Sequence, residues 1–172
     1  HGLPLLGRHV CQQFDEQGFF ALAGAGKHHD AFADAFADIQ SAINAVATGG
    51  TVNVAAGTYA GGIIINKSVI LNGVAGAIIG TGDFGDGYGG ALEVKANNVT
   101  IDGLTLTGDG TTNLTNKYGV LLLHGYNGAT VQHSASSNFG GGVLVESAPA
   151  GASNPLIQNN NFSNTATDFD VY

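Results

Sequence analysis

Apolar and polar residues alternate along most of this 172-residue chain, which predicts short β-strands with one buried face. From residue 51 onward the alternation recurs in short stretches, each followed by Gly, Asn or Ser residues that favour turns. Three of these stretches superimpose when Ile101, Val131 and Ile157 are taken as equivalent, at spacings of 30 and 26 residues. A repeat of roughly 20–50 residues is typical of a solenoid, in which each unit buries its apolar face against the next.

The strands predicted in this way fill most of the chain after the first fifty residues. They occupy 51–55, 62–65, 68–72, 77–79, 92–95, 99–101, 104–107, 119–123, 130–133, 142–146, 156–158 and 169–172. Their alternation places on one face Val52 and Val54, Val69 and Leu71, Leu92 and Val94, Val120 and Leu122, and Val143 and Val145. At roughly 22–30 residues per coil and about 4.8 Å between coils, residues 51–172 predict about five coils in a rod of about 24 Å.

One unit of the repeat breaks the apolar pattern. Residues 132–138 are polar where the neighbouring units carry Leu104, Leu106 or Phe162. We expect that Ala135 turns inward there, or that this coil departs from the repeat. The triplet 159–161, three asparagines, predicts a turn with stacked side-chain amides.

A helical pattern precedes the strands. Its apolar residues, spaced by four, three, four and three, are Phe32, Phe36, Ile39, Ile43 and Val46. Asp38 is the expected N-cap of a helix over 39–46, with Asp30 as an alternative, earlier start, and the glycines at 49–50 end it. A helix with one apolar face at the edge of a strand solenoid covers the first coil. The chain therefore divides into a leader (1–30), a cap (31–50) and a solenoid (51–172).

The two ends of the chain suggest contacts with other copies. The leader is interpreted either as an extended segment lying on the domain or as an arm that pairs with a neighbouring subunit through Phe19, Phe20 and Leu22. The last residues are strand-like, and an uncovered coil there would expose Phe169, Val171 and Tyr172. Either the native chain continues or the next subunit stacks on this coil, and head-to-tail stacking generates filaments.

Composition and charge narrow the class of protein. The chain has 28 Gly, only 10% charged residues and a net charge of −8, with five basic residues. Binding to nucleic acid or to an anionic membrane surface needs clustered cations, so neither is expected. No apolar run approaches the ~18 residues that span a bilayer. The chain starts with His and has no Met, which indicates a processed product or an excised piece, and Cys11 alone forms no internal disulfide. We expect an extracellular or cell-surface protein.

Three segments carry a family resemblance: DIQSAINA (38–45), GTVNVAAGTY (50–59) and INKSVILNG (65–73). They resemble the N-terminal entry of right-handed parallel β-helix proteins of the pectate-lyase-like superfamily. The resemblance covers residues 36–172 and implies an all-β, right-handed, single-stranded parallel β-helix with an N-terminal amphipathic capping helix. The Ala/Gly/Thr-rich composition is most similar to bacterial surface and secreted β-helix repeat proteins.

The resemblance says little about activity, because β-helix proteins with the same kind of N-terminal segment include esterases, lyases, epimerases, tail spikes and surface proteins. The superfamily's lyases use an Arg or Lys base beside acidic Ca²⁺ ligands, yet residues 39–172 contain no Arg and only Lys67, Lys95 and Lys117. The paired aspartates and arginine of pectin esterases and the aspartate trio of polygalacturonases are not found. The hypothesis is therefore a non-catalytic, adhesin-like structural protein that self-associates into a filament or surface layer.

Several residues remain candidates for binding or chemistry. In the glycine-rich loop 82–90, Asp83 and Asp86 could supply some of the six to eight oxygens that Ca²⁺ needs, although a surface loop with ordinary turn geometry is the favoured interpretation. No other cofactor is expected. The alternative function is a polysaccharide-active (lyase- or epimerase-like) or carbohydrate-binding module, in which Tyr59, Tyr118 and Tyr126 stack against sugars.

The histidines and asparagines give weaker signals. His124 and His133 are expected on neighbouring strands, and Asp102 aligns with Gln132 and Gln158, which indicates an outward polar ladder rather than an acid–base pair. The triplet 28–30, His-His-Asp, is expected to be solvated rather than to bind a metal. Glycosylation sequons begin at Asn66, Asn98, Asn113 and Asn161.

Overall fold

The chain folds as a parallel β-solenoid with a single short helix among the residues that a computed structural model describes. Those residues are 18–21, 35–110, 116–146, 154–165 and 167–171, with 18–21, 35 and 167–171 described by their backbone alone. In chain order the elements are β1 (Gly18–Ala21), β2 (Ala35–Phe36), α1 (Ile39–Ala45), β3 (Thr51–Val54), β4 (Gly57–Tyr59), β5 (Ile63–Ile65), β6 (Ile70–Gly73), β7 (Ala77–Ile79), β8 (Gly82–Asp83), β9 (Gly89–Val94), β10 (Thr100–Asp102), β11 (Thr105–Thr107), β12 (Lys117–Leu122), β13 (Thr130–Gln132), β14 (Ala135–Ser137), β15 (Gly141–Val145), β16 (Leu156–Gln158), β17 (Asn161–Ser163) and β18 (Thr167–Val171).

The strands form three parallel sheets, which the chain visits in turn. Sheet 1 has the order β2-β1-β3-β6-β10-β13-β16, sheet 2 the order β4-β7-β11-β14-β17, and sheet 3 the order β5-β9-β12-β15-β18. Only the short β8, which pairs with β9, runs antiparallel to its neighbour in the described part of the chain. A continuous apolar core fills the space between the three sheets.

The register of the repeat is as the sequence predicts. Ile101 pairs with Val131, and Val131 with Ile157, in adjacent strands of sheet 1. The residue that follows this strand adopts a left-handed conformation in each of the three units, at Gly103, His133 and Asn159. Gly tolerates such a backbone freely and Asn better than most residues, which explains the turn chemistry after each strand. Every buried residue predicted for the inward face, from Val52 to Val145, lies in the core.

The polar unit is explained by one serine and one phenylalanine. The inward position of β14 is taken by Ser136, which pairs with Phe162 and Leu106, so the prediction that Ala135 turns inward is wrong. Phe139, three residues later and fully buried, supplies core volume in this coil. Ser136 Oγ lies only 2.2 Å from the place where a Cβ on Gly119 would be, which shows how closely the hydroxyl approaches β12 of sheet 3.

The predicted helix is confirmed, over Ile39–Ala45. Asp38 is its N-cap, and Asp38 Oδ1 accepts a hydrogen bond of 2.7 Å from the backbone N–H of Ser41. The helix buries Ile39 and Ile43 against the core. Gly49, at φ +83°, turns the chain into the first strand of the solenoid.

The side chain of Gln40 closes the edge of sheet 3. Its amide nitrogen donates to the carbonyl of Ile64 (3.0 Å), and its amide oxygen accepts from the N–H of Ile64 (2.8 Å). The amide thereby replaces the peptide group of a neighbouring strand on the outer side of β5. Lys67 Nζ donates to the carbonyls of Asn44 (2.8 Å) and Val46 (3.1 Å), which ties the helix end to the first coil.

Part of the predicted leader belongs to sheet 1. The backbone of β1, which contains Phe19 and Phe20, pairs with β3 on one side and with β2 on the other. Leu22, the triplet 28–30 and Cys11 lie outside the described residues. The described part of the chain has no helix long and apolar enough to cross a membrane.

Candidate functional site

The outer face of sheet 3 is unusual because it is buried. Ile64, Glu93, Leu121 and Leu144 are in register on neighbouring strands and point away from the core that Leu92 and Val94 help to form. All six residues of β9 and all five of β15 are buried. A second apolar layer must therefore cover this side of the sheet.

The cover is the glycine-rich segment 81–88, which we call the lid. It begins with β8, paired with the first residues of β9, and the backbone N–H of Phe84 donates to the carbonyl of Tyr88 (3.1 Å). Phe84 is only 6% exposed and packs in one cluster with Leu121 and Leu144, with Ile64 and Tyr118 at its margin. The lid is thus a thin layer over an apolar surface.

Glu93 lies beneath this layer and has no solvent exposure. Its Oε2 is 2.8 Å from Lys95 Nζ, an ion-pair distance. The carboxyl oxygen Oε1 has no hydrogen-bond partner among the described residues. Burial raises the pKa of Glu93, the interaction with the Asp86 carboxylate raises it further, and Lys95 opposes both effects.

Asp86 and Lys95 complete the charged group. Asp86 Oδ2 is 3.5 Å from Lys95 Nζ. Burial acts to raise the pKa of Asp86, but the interaction with Glu93, the hydrogen bond from the backbone N–H of Tyr88 and the charge of Lys95 outweigh it and lower the pKa. The pKa of Lys95 is raised, mainly by its interaction with Glu93. Two carboxyl groups with pKa values moved in opposite directions can share one proton, and Glu93, whose pKa is raised, is the group that binds it more tightly.

A second polar group flanks the lid. Burial raises the pKa of the Tyr88 hydroxyl, as do the charge of Glu146 and a hydrogen bond to it. Glu146 Oε2 also lies 3.0 Å from His124 Nδ1. The rings of Tyr88 and Tyr118 are 6.1 Å apart between centroids, tilted by 45°. Beside them runs an open groove of about 510 Å³, lined by the lid and by Asn116 and Lys117.

The two aspartates proposed as Ca²⁺ ligands serve the turns of the lid. Asp83 Oδ1 accepts from the N–H of Gly85 (2.8 Å), and Asp86 Oδ1 accepts from the N–H of Tyr88 (3.2 Å). Among the residues that the structure describes, no three His, Cys, Asp or Glu side chains form a group that could hold a metal ion.

The three candidate tyrosines occupy different environments. Tyr59 is 5% exposed, and its hydroxyl donates to the carbonyl of Ala55 (3.0 Å), so its ring is not available to a sugar at the surface. Tyr118 is half-buried at the margin of the apolar layer under the lid. Tyr126 is also partly exposed, in the segment after β12.

The polar ladder predicted from the alignment of Asp102, Gln132 and Gln158 is present on the outer face of sheet 1. Gln132 Nε2 donates to Asp102 Oδ2 (2.8 Å), and Gln158 Nε2 donates to Gln132 Oε1 (2.9 Å). Asn72 and Asn53 continue the same row. His133 Nδ1 lies 3.0 Å from Asp102 Oδ1, whereas His124 contacts Glu146, so the two histidines belong to separate groups.

The asparagine triplet makes contacts different from those predicted. Asn160 Oδ1 accepts from the N–H of Ser134 (2.9 Å), and Asn160 Nδ2 donates to the carbonyl of Val131 (2.8 Å). These bonds join a side chain to the backbone of the preceding coil, where stacked amides were expected. Among the sequons, Asn66, Asn98 and Asn161 are exposed, and Asn113 lies outside the described residues.

The predicted assembly residues at the tail are only partly described. Phe169 and Val171 lie on β18, whose backbone pairs with β15, and Tyr172 is outside the described residues. No described strand lies beyond β16, β17 or β18 in any of the three sheets. Leu156 on β16 is 50% exposed, whereas Ile157 and Phe162 are partly buried against the core.

Comparison with protein-family models, with curated proteins and with solved structures finds no match to this chain. The class of the protein is therefore defined by its fold, a parallel β-solenoid, and by a covered polar cluster on sheet 3. Glu93, Lys95, Tyr88 and Glu146 were not singled out as site residues from the sequence. The signal that could have indicated the site is the unbroken apolar run of β12 and β15, which is typical of strands buried on both faces.

Proposed function

We propose that this protein is a non-catalytic, extracellular structural module of the adhesin-like kind that self-associates through its C-terminal coil. In this proposal the solenoid is a right-handed β-helix of five coils. The five strands of sheet 2 and the five successive parallel strands of sheet 3 support that count. The wider resemblance to bacterial surface and secreted repeat proteins of the pectate-lyase-like superfamily belongs to the same proposal.

The observation that carries the proposal is the difference between the two ends of the solenoid. At the N-terminal end, β1 and β2 extend sheet 1, and Gln40 occupies the edge of β5 in sheet 3. At the other end, the outer edges of β16, β17 and β18 have no partner among the described residues. Unpaired strand edges carry free N–H and C=O groups that accept another strand.

Head-to-tail stacking fits two of the three sheets. It would bring the free edge of β16 next to β2 of a following copy, and the free edge of β17 next to β4, whose other described neighbour is β7. In sheet 3 the following copy presents Gln40 and α1 instead of a strand edge. Because β1 is already paired on both sides within its own chain, a locking arm would have to come from the rest of the leader or by exchange of β1 between copies.

The test introduces a charge at an outward residue of the open edge strand. The control introduces the same charge at the residue in register with it on an inner strand of sheet 1, and self-association of the two variants is compared. Leu156→Lys puts a charge on the edge strand, and Ile70→Lys, at a position 40% exposed in the same column, is the matched control. We expect sedimentation velocity to show concentration-dependent association of the wild-type protein, weakened at least tenfold by Leu156→Lys and unchanged by Ile70→Lys. A wild-type protein that stays monomeric at every concentration would contradict the proposal.

A second candidate function is a carbohydrate-binding or polysaccharide-active module. The observation that favours it is the open groove lined by Tyr88, Asp83 and Lys117, with the ring of Tyr118 6.1 Å from that of Tyr88. Aromatic rings beside hydrogen-bonding side chains suit a sugar, whose faces are apolar and whose rim is polar.

A screen of uronate polymers for binding, unsaturated products or epimerisation tests this second function. Tyr118→Ala should weaken any binding, while Tyr126→Ala serves as a comparison at the other partly exposed candidate. A complete lack of binding and product across the polymers would remove the carbohydrate function.

A further inference from the structure

We propose that the lid, residues 81–88, is a pH-controlled cover over the outer face of sheet 3, closed while Glu93 carries a proton and loosened when Glu93 is ionised. The proposal concerns a conformational device and stands independently of self-association. It starts from geometry: a carboxyl group with no solvent exposure sits under a single thin segment of chain. An ionised carboxylate in such a place loses its hydration and needs full compensation from its neighbours.

The neighbours of Glu93 compensate only in part. Lys95, two residues further along the chain, lies 2.8 Å from Glu93 Oε2. The other carboxyl oxygen, Oε1, has no hydrogen-bond partner in the described chain. The flanking residues in register, Ile64 and Leu121, are apolar. The lid itself brings a second carboxylate to the same ammonium group, since Asp86 Oδ2 lies 3.5 Å from Lys95 Nζ, and the charge of Asp86 acts to raise the pKa of Glu93. The remaining titratable groups around the lid in the described chain are Asp83, Tyr88, Lys117, Tyr118, Glu146 and His124.

The protonation state of Glu93 therefore determines the electrostatic interaction of Asp86 with the charged groups beneath the lid. When Glu93 is protonated, only one negative charge, that of Asp86, faces the one positive charge of Lys95. When Glu93 is ionised, two carboxylates share Lys95, and that of Glu93 has no solvent exposure. Because Asp86 is part of the lid and Glu93 is part of the sheet, their repulsion acts directly to separate the lid from the sheet.

The direction of the pH dependence follows from both carboxyl groups. The pKa of Glu93 is raised above 4.5 in the closed form, so its contribution to closure is complete at acidic pH and is lost as pH rises through the raised pKa. The pKa of Asp86 is lowered below 3.8, so its contribution is lost only as pH falls through that lower value. Closure is therefore tightest between these two pKa values.

The lid has the composition of a segment that can move. Three of its eight residues are Gly82, Gly85 and Gly87, of which Gly85 and Gly87 have positive φ angles and no atoms where a Cβ would be. Its main apolar anchor is Phe84. Opening would uncover Leu121 and Leu144, which are otherwise buried on this face.

Hydrogen exchange read by mass spectrometry tests the device in the full chain. After correction for the intrinsic rate, the protection of peptides spanning the lid should fall several-fold between pH 4.5 and pH 8, because a pKa of Glu93 that is raised in the closed lid means that ionisation of Glu93 opposes closing. Glu93→Gln keeps the shape of protonated Glu93 and should reduce the change to less than twofold. Asp83→Asn, in the same lid, should keep the wild-type change.

The result that overturns the proposal is equal protection of the wild-type lid at both pH values, or an undiminished fall in Glu93→Gln. A measurement on the wild-type protein covers the case in which Glu93→Gln does not fold. The carboxyl carbon of Glu93 and the ring of Phe84, followed by NMR, should titrate with one midpoint. Distinct midpoints, or a Phe84 ring that does not respond to pH, would equally overturn it.

Discussion

At the scale of single residues, Ser136 stands out because it is a polar residue at an inward position of a strand. Ser136 is 2% exposed, and its hydroxyl has no hydrogen-bond partner among the described residues. The equivalent positions in the neighbouring coils are Leu106 and Phe162. A buried hydroxyl without a partner loses its hydrogen bonds to water on folding and forms none in the protein, which lowers the free energy of unfolding.

We therefore expect Ser136→Ala to stabilise the protein. Removal of the unpaired hydroxyl should raise the free energy of unfolding by about 1 kcal/mol, and the melting temperature by roughly 2–4 °C for a chain of this size. Thermal unfolding followed by circular dichroism measures it. Ser137→Ala, on the outward side of the same strand, is the control and should change stability by less than about 0.5 kcal/mol. A loss of stability in Ser136→Ala would show that the hydroxyl has a partner.

Glu93 shows where reading the sequence residue by residue fails. It stands between Leu92 and Val94, and alternation alone assigns such a residue to the solvent side. The alternation was right about direction, since Glu93 does point away from the core. It could not predict burial, because that depends on a loop that returns over the sheet. The nearby apolar outward residues, Leu121 and Leu144, were the available indication of a second layer.

At the scale of elements, the cap helix was predictable and its most specific contact was not. Asp38 as N-cap and the apolar stripe through Ile39 and Ile43 follow from local patterns. The pairing of the Gln40 amide with the backbone of Ile64 joins residues 24 positions apart. Local rules carry no information on such a contact, because glutamine at an exposed helix position is ordinary.

We expect Gln40→Ala to destabilise the protein by about 1–3 kcal/mol. The substitution leaves the N–H and C=O of Ile64 without partners in a partly buried place. Asn44→Ala is the control, because the Asn44 side chain is exposed and contacts only the Gln40 amide (3.2 Å) among the described hydrogen bonds. Chemical denaturation of both variants gives the comparison. Equal stability of Gln40→Ala and wild type would mean that water replaces the amide at no cost.

At the scale of the whole molecule, the solenoid architecture and its register follow from the sequence. The equivalence of Ile101, Val131 and Ile157 fixed the strands of sheet 1 relative to one another, because a shift by one residue would turn every apolar side chain outward. The strand β1 and the lid were not predicted, since each lies in a segment without clear periodicity. The contacts that β1 and the lid make with distant segments could not be predicted, because a repeat pattern carries no information about them.

The row of paired residues Ile101, Val131 and Ile157 in sheet 1 offers a test of how burial changes along the solenoid. Ile101 is fully buried, whereas Ile157, in the last described strand of sheet 1, is only partly buried. We expect Ile101→Ala to cost about 3–4 kcal/mol of unfolding free energy and Ile157→Ala about 1–2 kcal/mol, since an incompletely covered site loses fewer contacts. Urea unfolding at low protein concentration measures both values. Equal costs would show that the last coil is covered as completely as the inner ones.

The position of α1 ahead of the strands in the sequence has a consequence for synthesis. As the chain leaves the ribosome, the helix and Gln40 are available before the second coil has been translated. Each later strand then meets a finished neighbour in its own sheet, and only the most recently made coil waits for a partner. Folding can therefore proceed in one direction, with translation setting the order in which the coils assemble.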